Sequence, residues 1–279
     1  MKTKKYITQY EGIDMELFFC SELLKLESLH YGYWNPGEEL TLSNVRIAQK
    51  RYTDTLVNLI PKGVKTILDV GCGIGDVSKA AAKKGYSVTA ISPDKNQGKY
   101  FPKNDKNLQF TRSKFEEFNS NKKFDLILMS ESQNYFYTDI GFQKCLKLLK
   151  PKGHLLVSGL FSKSKDDHFG FNTSIKKEYL DAANEHGFNI KKSIDISKQT
   201  LPTLTYTHRR INEYVVPTTQ MIEHYLYATS PVKTKIMKVL FNKQIKDMKK
   251  VYEFYNKVTD PKIFKAKAEY LRFLFQRNN

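Results

Sequence analysis

The sequence predicts an α/β fold on a mostly parallel sheet, and three observations carry that prediction. Thr66-Ile67-Leu68-Asp69-Val70 is a short aliphatic run that turns directly into Gly71, Gly73 and Gly75, and an Ala- and Lys-rich helical segment follows from Asp76 to Lys84. Strand, glycine turn and helix N-terminus in that order cradle nucleotide-like ligands, because the free N–H groups and dipole of a helix start attract polar ligand groups. Phe124-Asp125-Leu126-Ile127-Leu128-Met129-Ser130 is apolar on both faces, as a central strand covered by helices on either side must be. Around these two strands, further strand and helix patterns alternate along the chain, as βαβ units require.

The elements follow in order. Residues 14–35 read as a partly buried helix (Leu17, Phe18, Leu24, Leu29) that runs into the aromatic loop Leu29-His30-Tyr31-Gly32-Tyr33-Trp34-Asn35-Pro36-Gly37. Val45, Ile47, Tyr52, Leu56, Leu59 and Ile60 recur at helical spacing until Pro61-Lys62-Gly63 stops the helix. After the first strand and crossover helix, Gly85 precedes a second strand, Tyr86 to Ile91. Leu108 to Thr111 is a third strand and Phe124 to Ser130 a fourth. A helix from Phe142 to Leu149 closes at Lys150-Pro151-Lys152-Gly153, and His154 to Ser158 is a fifth strand. Lys176 to Ala183 is helical, Asn189 to Ser197 extended, and residues 207–258 helical again, too long for a plain connection. Lys267 to Phe275 closes the sheet as its last strand. The expected organisation is a helical lid segment over 1–60, a ligand-binding core over 61–200, a helical cap over 201–262 and a final strand within 263–279.

Bulk properties restrict the function. With 40% hydrophobic and 13% aromatic residues among 279, the chain fills a substantial core. No apolar run approaches the length of a membrane span, and the basic start Met1-Lys2-Thr3-Lys4-Lys5 lacks the apolar stretch of a signal peptide. Cys20, Cys72 and Cys145 lie far apart, which suggests neither a disulfide framework nor a zinc site and fits a reducing cytoplasm. The net charge of +17 has two readings: an anionic partner such as nucleic acid or a membrane surface, or a Lys-rich composition without functional meaning. The lysines are scattered and no Arg-rich cluster with interleaved aromatics is present, which counts against nucleic acid.

Candidate site residues cluster at strand ends. His30, Tyr31, Tyr33 and Trp34 put polar tips on apolar bodies within five residues, suited either to a core or to a lid over a small ligand. Glu131-Ser132-Gln133-Asn134-Tyr135 follows the central strand, where open α/β sheets place their ligands. Glu131 there is either a base or amine holder, with Tyr135 as hydrogen-bond donor, or a helix cap.

The G-x-G-x-G spacing of Gly71, Gly73 and Gly75 after Asp69 resembles motif I of the class I S-adenosylmethionine (SAM) dependent methyltransferases. "LHYGYW", "ISPDKNQ" and "MSESQNYF" resemble, in order, segments of their small-molecule group: the tocopherol, sterol and cyclopropane-type enzymes. The resemblance implies a Rossmann-like, seven-stranded, mostly parallel sheet with helices on both faces and a helical cap, with SAM as cofactor. Carried over residue by residue, it implies cofactor contacts at Asp69, Gly71, Cys72, Gly73, Gly75 and Ser130. Ser92 stands where a ribose-binding acid is usual and would contact the ribose with its hydroxyl, with Gln97 as a second polar contact and Asp94 as a replacement acid or a plain turn residue. Lys114 stands where an adenine-binding acid is usual, with Phe115 beside it. His30, Tyr31, Tyr33 and Trp34 fall in the segment that covers the acceptor.

Methyl transfer needs alignment of an acceptor and, for a hydroxyl or amine, a base; methylation of a double bond needs aromatics and a carboxylate to hold positive charge. Tyr31, Tyr33, Trp34, Glu131, Tyr135 and His208 furnish either set, so amine, hydroxyl and lipid- or prenyl-like carbon all stand as acceptors. An RNA methyltransferase is the alternative favoured by charge, although no appended RNA-binding motif is present. A catalytically silent SAM-binding protein is the alternative suggested by Ser92 and Lys114. Lysines from Lys233 to Lys250 share helical spacing with Ile236, Leu240, Ile245, Met248, Val251 and Tyr255, which reads either as peripheral membrane contact or as a solvated face packed on its own domain.

Overall fold

The structure is a computed structural model, and it describes residues 9–10, 13–14, 17–165 and 173–278. Residues 9–10 and 13–14 pair as a small antiparallel ladder. The main sheet has seven strands: β1 (Thr66–Val70), β2 (Ser87–Ser92), β3 (Leu108–Arg112), β4 (Phe124–Ser130), β5 (Leu149–Ser162), β6 (Phe188–Asp195) and β7 (Ala268–Arg277). They lie in the order β3-β2-β1-β4-β5-β7-β6. The first five are parallel, and β7 inserts antiparallel between β5 and β6. The seven-stranded, mostly parallel arrangement is therefore as expected.

Helices cover both faces because the inner strands are apolar on both. Leu126, Leu128, Leu156, Tyr270 and Leu274 face α1 (Leu42–Val57), α2 (Asp76–Lys83) and α5 (Ser197–Arg210). Ile127, Met129, Leu155, Val157, Phe273 and Phe275 face α3 (Thr138–Leu148) and α4 (Lys176–Glu185). The two-residue period of β7 thus sends Tyr270, Arg272 and Leu274 toward α1 and the phenylalanines away from it. The β4–β5 register jumps from Phe124↔Leu149 to Leu126↔His154, so the Lys150-Pro151-Lys152-Gly153 turn lies inside the span of β5 as an irregularity, not before it.

The cap consists of α5, a π-helical stretch Ile211–Val215, α6 (Val216–Thr229), α7 (Pro231–Leu240) and α8 (Asn242–Thr259). The final strand begins later than expected from residue 263. Pro261–Lys267 is a short helix, α9, because Asp260 accepts the Lys262 N–H at 2.7 Å and Pro261 sits at the first helical position. Of the helix expected before the aromatic loop within 14–35, a π-helical stretch, Phe18–Leu23, is present, and residues 15–16 lie outside the described residues.

From residue 24 to α1 the chain is irregular but tied down at every step. Thr203 on α5 accepts from the Gly32 N–H at 2.9 Å and from Trp34 Nε1 at 2.8 Å. Arg51 on α1 grips Glu38 through two bonds of 2.9 and 2.8 Å and donates to Tyr33 O at 2.8 Å. Trp34 is buried with Leu26, Val45 and Ala48 in a small core of its own.

The deepest tie is a buried ion pair. His30 donates from Nδ1 to Tyr31 O at 2.7 Å and from Nε2 to Asp76 Oδ2 at 2.5 Å, so both ring nitrogens carry protons. Ser28 and Thr53 also donate to Asp76 Oδ2, at 2.9 and 2.8 Å. Burial opposes charge on His30, but the Asp76 carboxylate outweighs it and raises the imidazole above its ordinary 6.5. Burial likewise opposes the Asp76 charge, and His30 with the hydroxyl donors holds it down at about 2. Asp76 is also the first residue of α2, where the helix dipole favours an anion.

The pair fastens the N-terminal segment to the glycine turn, and its contribution has a defined pH window. It is complete between the ordinary aspartate value of 3.8 and the ordinary histidine value of 6.5. It fades toward acid as Asp76 takes a proton near about 2, and toward alkali as pH passes the raised His30 value. Asp76→Asn is expected to destabilise the chain by roughly 3 kcal/mol in that window, since removing one partner strands the other. Thermal melts of both proteins at stepped pH check this. A gap that stayed constant from about pH 5 to about pH 9 would remove the ion pair as its cause.

Candidate functional site

The site lies beyond the carboxyl ends of β1, β2 and β4. Gly71, Gly73 and Gly75 all take positive φ, at 69°, 56° and 82°. The glycines differ in what surrounds them. A Cβ on Gly71 would strike Ser132 Cβ at 2.5 Å, and one on Gly75 would strike the Phe101 ring at 2.4 Å, so these two are required by packing. A Cβ on Gly73 would meet only Leu29 Cδ1, at 3.6 Å. The surface over Gly73 is therefore open to a ligand approaching the backbone.

Asp69 is buried beneath this turn and accepts from Ser78 on α2 at 2.5 Å. Burial pushes its carboxyl up to about 7, against the Ser78 hydrogen bond, with the charge of Asp76 adding to the rise. Cys72 is buried too, and loss of water raises its thiol well above the usual range, so it is no nucleophile. The Gly71 and Cys72 N–H groups donate to Ile91 O on β2, at 2.9 and 3.1 Å.

The turn after β2 holds two unpaired acceptors. Ser92 Oγ accepts from the Asp94 N–H at 3.3 Å, and Asp94 Oδ1 accepts from the Asn96 N–H at 2.8 Å. That leaves Asp94 Oδ2 and Gln97 Oε1 buried without a hydrogen-bond partner. Buried acceptors are normally satisfied, so two in one turn fit a ligand carrying hydroxyl donors, such as a ribose. Asp94, two residues past the end of β2, thus keeps a free carboxylate oxygen, while Ser92 closes the turn.

After β3 the geometry is less favourable to the residues expected there. Lys114 is half exposed and pairs with Glu117 at 3.4 Å. Phe115 is buried and stacks on Phe136 with centroids 5.0 Å apart, so its ring belongs to the core under the sheet and not to a ligand face. Position relative to the strand was legible; side-chain direction was not.

Beyond β4, Glu131 has φ +60°, a left-handed conformation that costs a non-glycine residue about 1 kcal/mol. It is no helix cap. Its N–H donates to Ser158 O at 2.7 Å. Its Oε1 accepts from the Tyr31 N–H at 2.9 Å and from the Tyr270 hydroxyl. Its Oε2 makes no hydrogen bond with the described residues. Removal from water raises its pKa above 4.5, opposed by His30, Tyr270 and Tyr31.

A network that the sequence did not reveal stands behind Glu131. The Tyr52 hydroxyl donates to Ser158 Oγ at 2.7 Å and lies 2.9 Å from the Tyr270 hydroxyl and 3.1 Å from Ser130 Oγ. Arg272, buried on β7, donates to Ser158 Oγ at 3.3 Å, Thr55 Oγ1 at 3.0 Å and Tyr52 O at 3.2 Å. Its guanidinium also lies 4.7 Å from the Tyr52 ring centre and 5.8 Å from that of Tyr33. Burial and the Glu131 charge push Tyr52 up to about 12 and raise Tyr270 well above the usual phenol range. The only sequence trace of this network was a Tyr and an Arg two apart in an apolar strand, which period-2 alternation puts on one face.

The other expected residues divide clearly. Tyr31 joins the site, its ring 5.4 Å from Tyr270, and Tyr33 lies against Arg272. Tyr135 is exposed beside Gly71, its Cδ2 3.6 Å from where a Gly71 Cβ would sit. Ser130 bonds into the Tyr52 network and not toward the glycine turn. His30 is held by Asp76 and Thr53, and Trp34 is sealed between α1 and α5, so both support the site from behind. His208 bonds to Thr259 on α8 at 3.2 Å, inside the cap and apart from the Glu131 network. Among the described residues no cluster of His, Cys, Asp or Glu is suited to hold a metal ion.

Comparisons with known proteins agree with this geometry. The ubiquinone biosynthesis O-methyltransferase of Rickettsia typhi is 28% identical over 193 residues, which span 66% of this chain and 75% of that protein. The crystal structure of the [4+2]-cyclase SpnF shares the fold with a TM-score of 0.67 at 16% identity, covering 99% of both chains. A geranyl diphosphate methyltransferase in complex with GPP and sinefungin does so with a TM-score of 0.66 at 16% identity over 97% of both chains. The profile of a methyltransferase domain matches residues 45–198, more than half of the sequence. That match runs from α1 through the glycine turn and Glu131 to the start of α5, so the chain belongs to the methyltransferase-domain family and is a SAM-dependent methyltransferase.

Proposed function

We propose that this enzyme methylates a hydroxyl group on a largely apolar small molecule and that Glu131 removes the hydroxyl proton. The observation that carries the reading is the Glu131 carboxylate. One oxygen is fixed by Tyr31 and Tyr270, the other makes no hydrogen bond with the described residues, and the group is more basic than an ordinary glutamate. The Rickettsia relative, named as an O-methyltransferase, supports the choice of oxygen.

The cofactor, when bound, supplies a methyl group made electrophilic by a positively charged sulfur. In our reading Gly71, Cys72, Gly73 and Gly75 carry it on their backbone, and Asp69 holds the turn from beneath. Asp94 and Gln97 accept from its ribose hydroxyls through the two oxygens that otherwise lack partners. Tyr31 and Tyr33 form the aromatic cover over the acceptor, with Tyr135 at the mouth. Tyr52, Tyr270 and Arg272 are positioning residues: they fix the Glu131 oxygen and its proton affinity. The same tyrosine rings around a carboxylate favour a second reading, carbon methylation through a cationic intermediate.

Gly73→Val is expected to abolish the rise in melting temperature on adding SAM, because its side chain enters the open space over the Gly73 backbone. Retention of that rise would place the cofactor elsewhere. Glu131→Gln is expected to keep the thermal shift but lower turnover by about 10²–10⁴-fold. Turnover is read by mass spectrometry of methyl-labelled products from a metabolite extract, which also separates oxygen from carbon methylation. Unchanged turnover would remove Glu131 from the chemistry. Wild-type turnover should rise with pH through an apparent pKa above 4.5, since only the deprotonated carboxylate accepts a proton. Tyr270→Phe takes away a hydrogen bond that lowers that pKa, so its profile should move to higher pH; an unshifted profile would mean that Tyr270 serves packing alone.

A further inference from the structure

Helices α6 and α7 form an arm with almost no inner face. None of the residues of α6 is buried, and in α7 only Thr234 is. The two helices are fastened to each other instead: Thr234 Oγ1 donates to Leu226 O at 2.8 Å, and Lys238 pairs with Glu223 while lying 4.6 Å from the Tyr227 ring centre. Yet the arm is apolar. Met221, Ile222, Tyr225, Leu226, Val232, Ile236, Met237, Val239, Leu240 and Phe241 are each at least 45% exposed. Val232, Ile236, Val239 and Leu240 recur at the spacing of one helix face. So many large apolar side chains in one continuous arm form an interaction surface.

Charge selects the occupant. Lys233, Lys235, Lys243, Lys246 and Lys249 stand exposed along α7 and the first half of α8, and none makes an ion pair with a described residue. Glu223 and Asp247 are already engaged, by Lys238 and by Lys250 at 3.8 Å. A second copy would bring the same lysines and a chain of net charge +17 against this face. An anionic bilayer brings opposite charge together with an apolar medium.

We propose that α6, α7 and the start of α8 dock on an anionic phospholipid membrane. The apolar side chains enter the boundary between headgroups and acyl chains, and the lysines meet lipid phosphates. No helix of the described residues is long and apolar enough to cross a membrane, and the contact is peripheral. It rests on the arm alone and is independent of the role of Glu131.

Flotation with vesicles tests it, using phosphatidylcholine alone and phosphatidylcholine mixed with phosphatidylglycerol. The wild-type chain should float with the mixed vesicles, in a manner that weakens as salt rises, and bind the neutral ones far less. A variant combining Lys235→Glu, Lys243→Glu, Lys246→Glu and Lys249→Glu should bind at least about a hundredfold more weakly. A second variant, Ile236→Ser with Val239→Ser and Leu240→Ser, should lose binding as well. All seven positions are exposed, and an unchanged SAM-induced thermal shift verifies that each variant is folded. Failure of wild type to bind either vesicle, or binding indifferent to both variants, overturns the proposal. Self-association abolished by the serine variant, without vesicle binding, overturns it in favour of a second copy.

Discussion

The Tyr52 hydroxyl is the junction on which the site depends. It joins α1, β4, β5 and β7 through Ser130, Ser158 and Tyr270 in the buried interior. Polar groups removed from water must satisfy one another or impose the full desolvation penalty, so each member fixes the others in one arrangement. Arg272 adds a buried cation on the ring and carbonyl of the same tyrosine. The result is a rigid base for the bent Glu131 backbone and a stable environment for its carboxylate. Strain at one residue is tolerated because four elements hold it.

A second constraint acts from the N-terminal side. The His30–Asp76 pair joins the irregular segment before α1 to the first residue of the helix behind the glycine turn. Tyr31, one residue on, then presents its N–H to Glu131. The ion pair and the Tyr52 junction are adjacent, with the His30 and Tyr52 ring centres 4.1 Å apart. The glycine turn and Glu131 are thus connected through buried groups, and the aromatic segment is a fixed wall fastened to α1 and α5.

Much of this was legible in the sequence. Strand patterns, the glycine spacing and the run ending in Glu131 are local features, and the core sheet forms where they indicate. Around Ser92 and Lys114 a linear comparison assigns a role by position and cannot report direction. Ser92 turns to its own loop, Phe115 turns into the core, and Asp94 and Gln97 keep the free acceptors. For His208 and Trp34 too, a polar or aromatic residue has a chemistry in the sequence, but only its neighbours decide whether that chemistry is available.

By itself the sequence determined the α/β class, the ligand-binding turn and the helical nature of the cap, since periodicity and backbone requirements act over a few residues. The tertiary structure alone decided which side chains meet. Tyr270 and Arg272 lie 139 and 141 positions after Glu131, and they reach its site only because β7 inserts antiparallel beside β5 and points alternate residues at α1. Contacts at that separation depend on strand order and register, which no local pattern encodes.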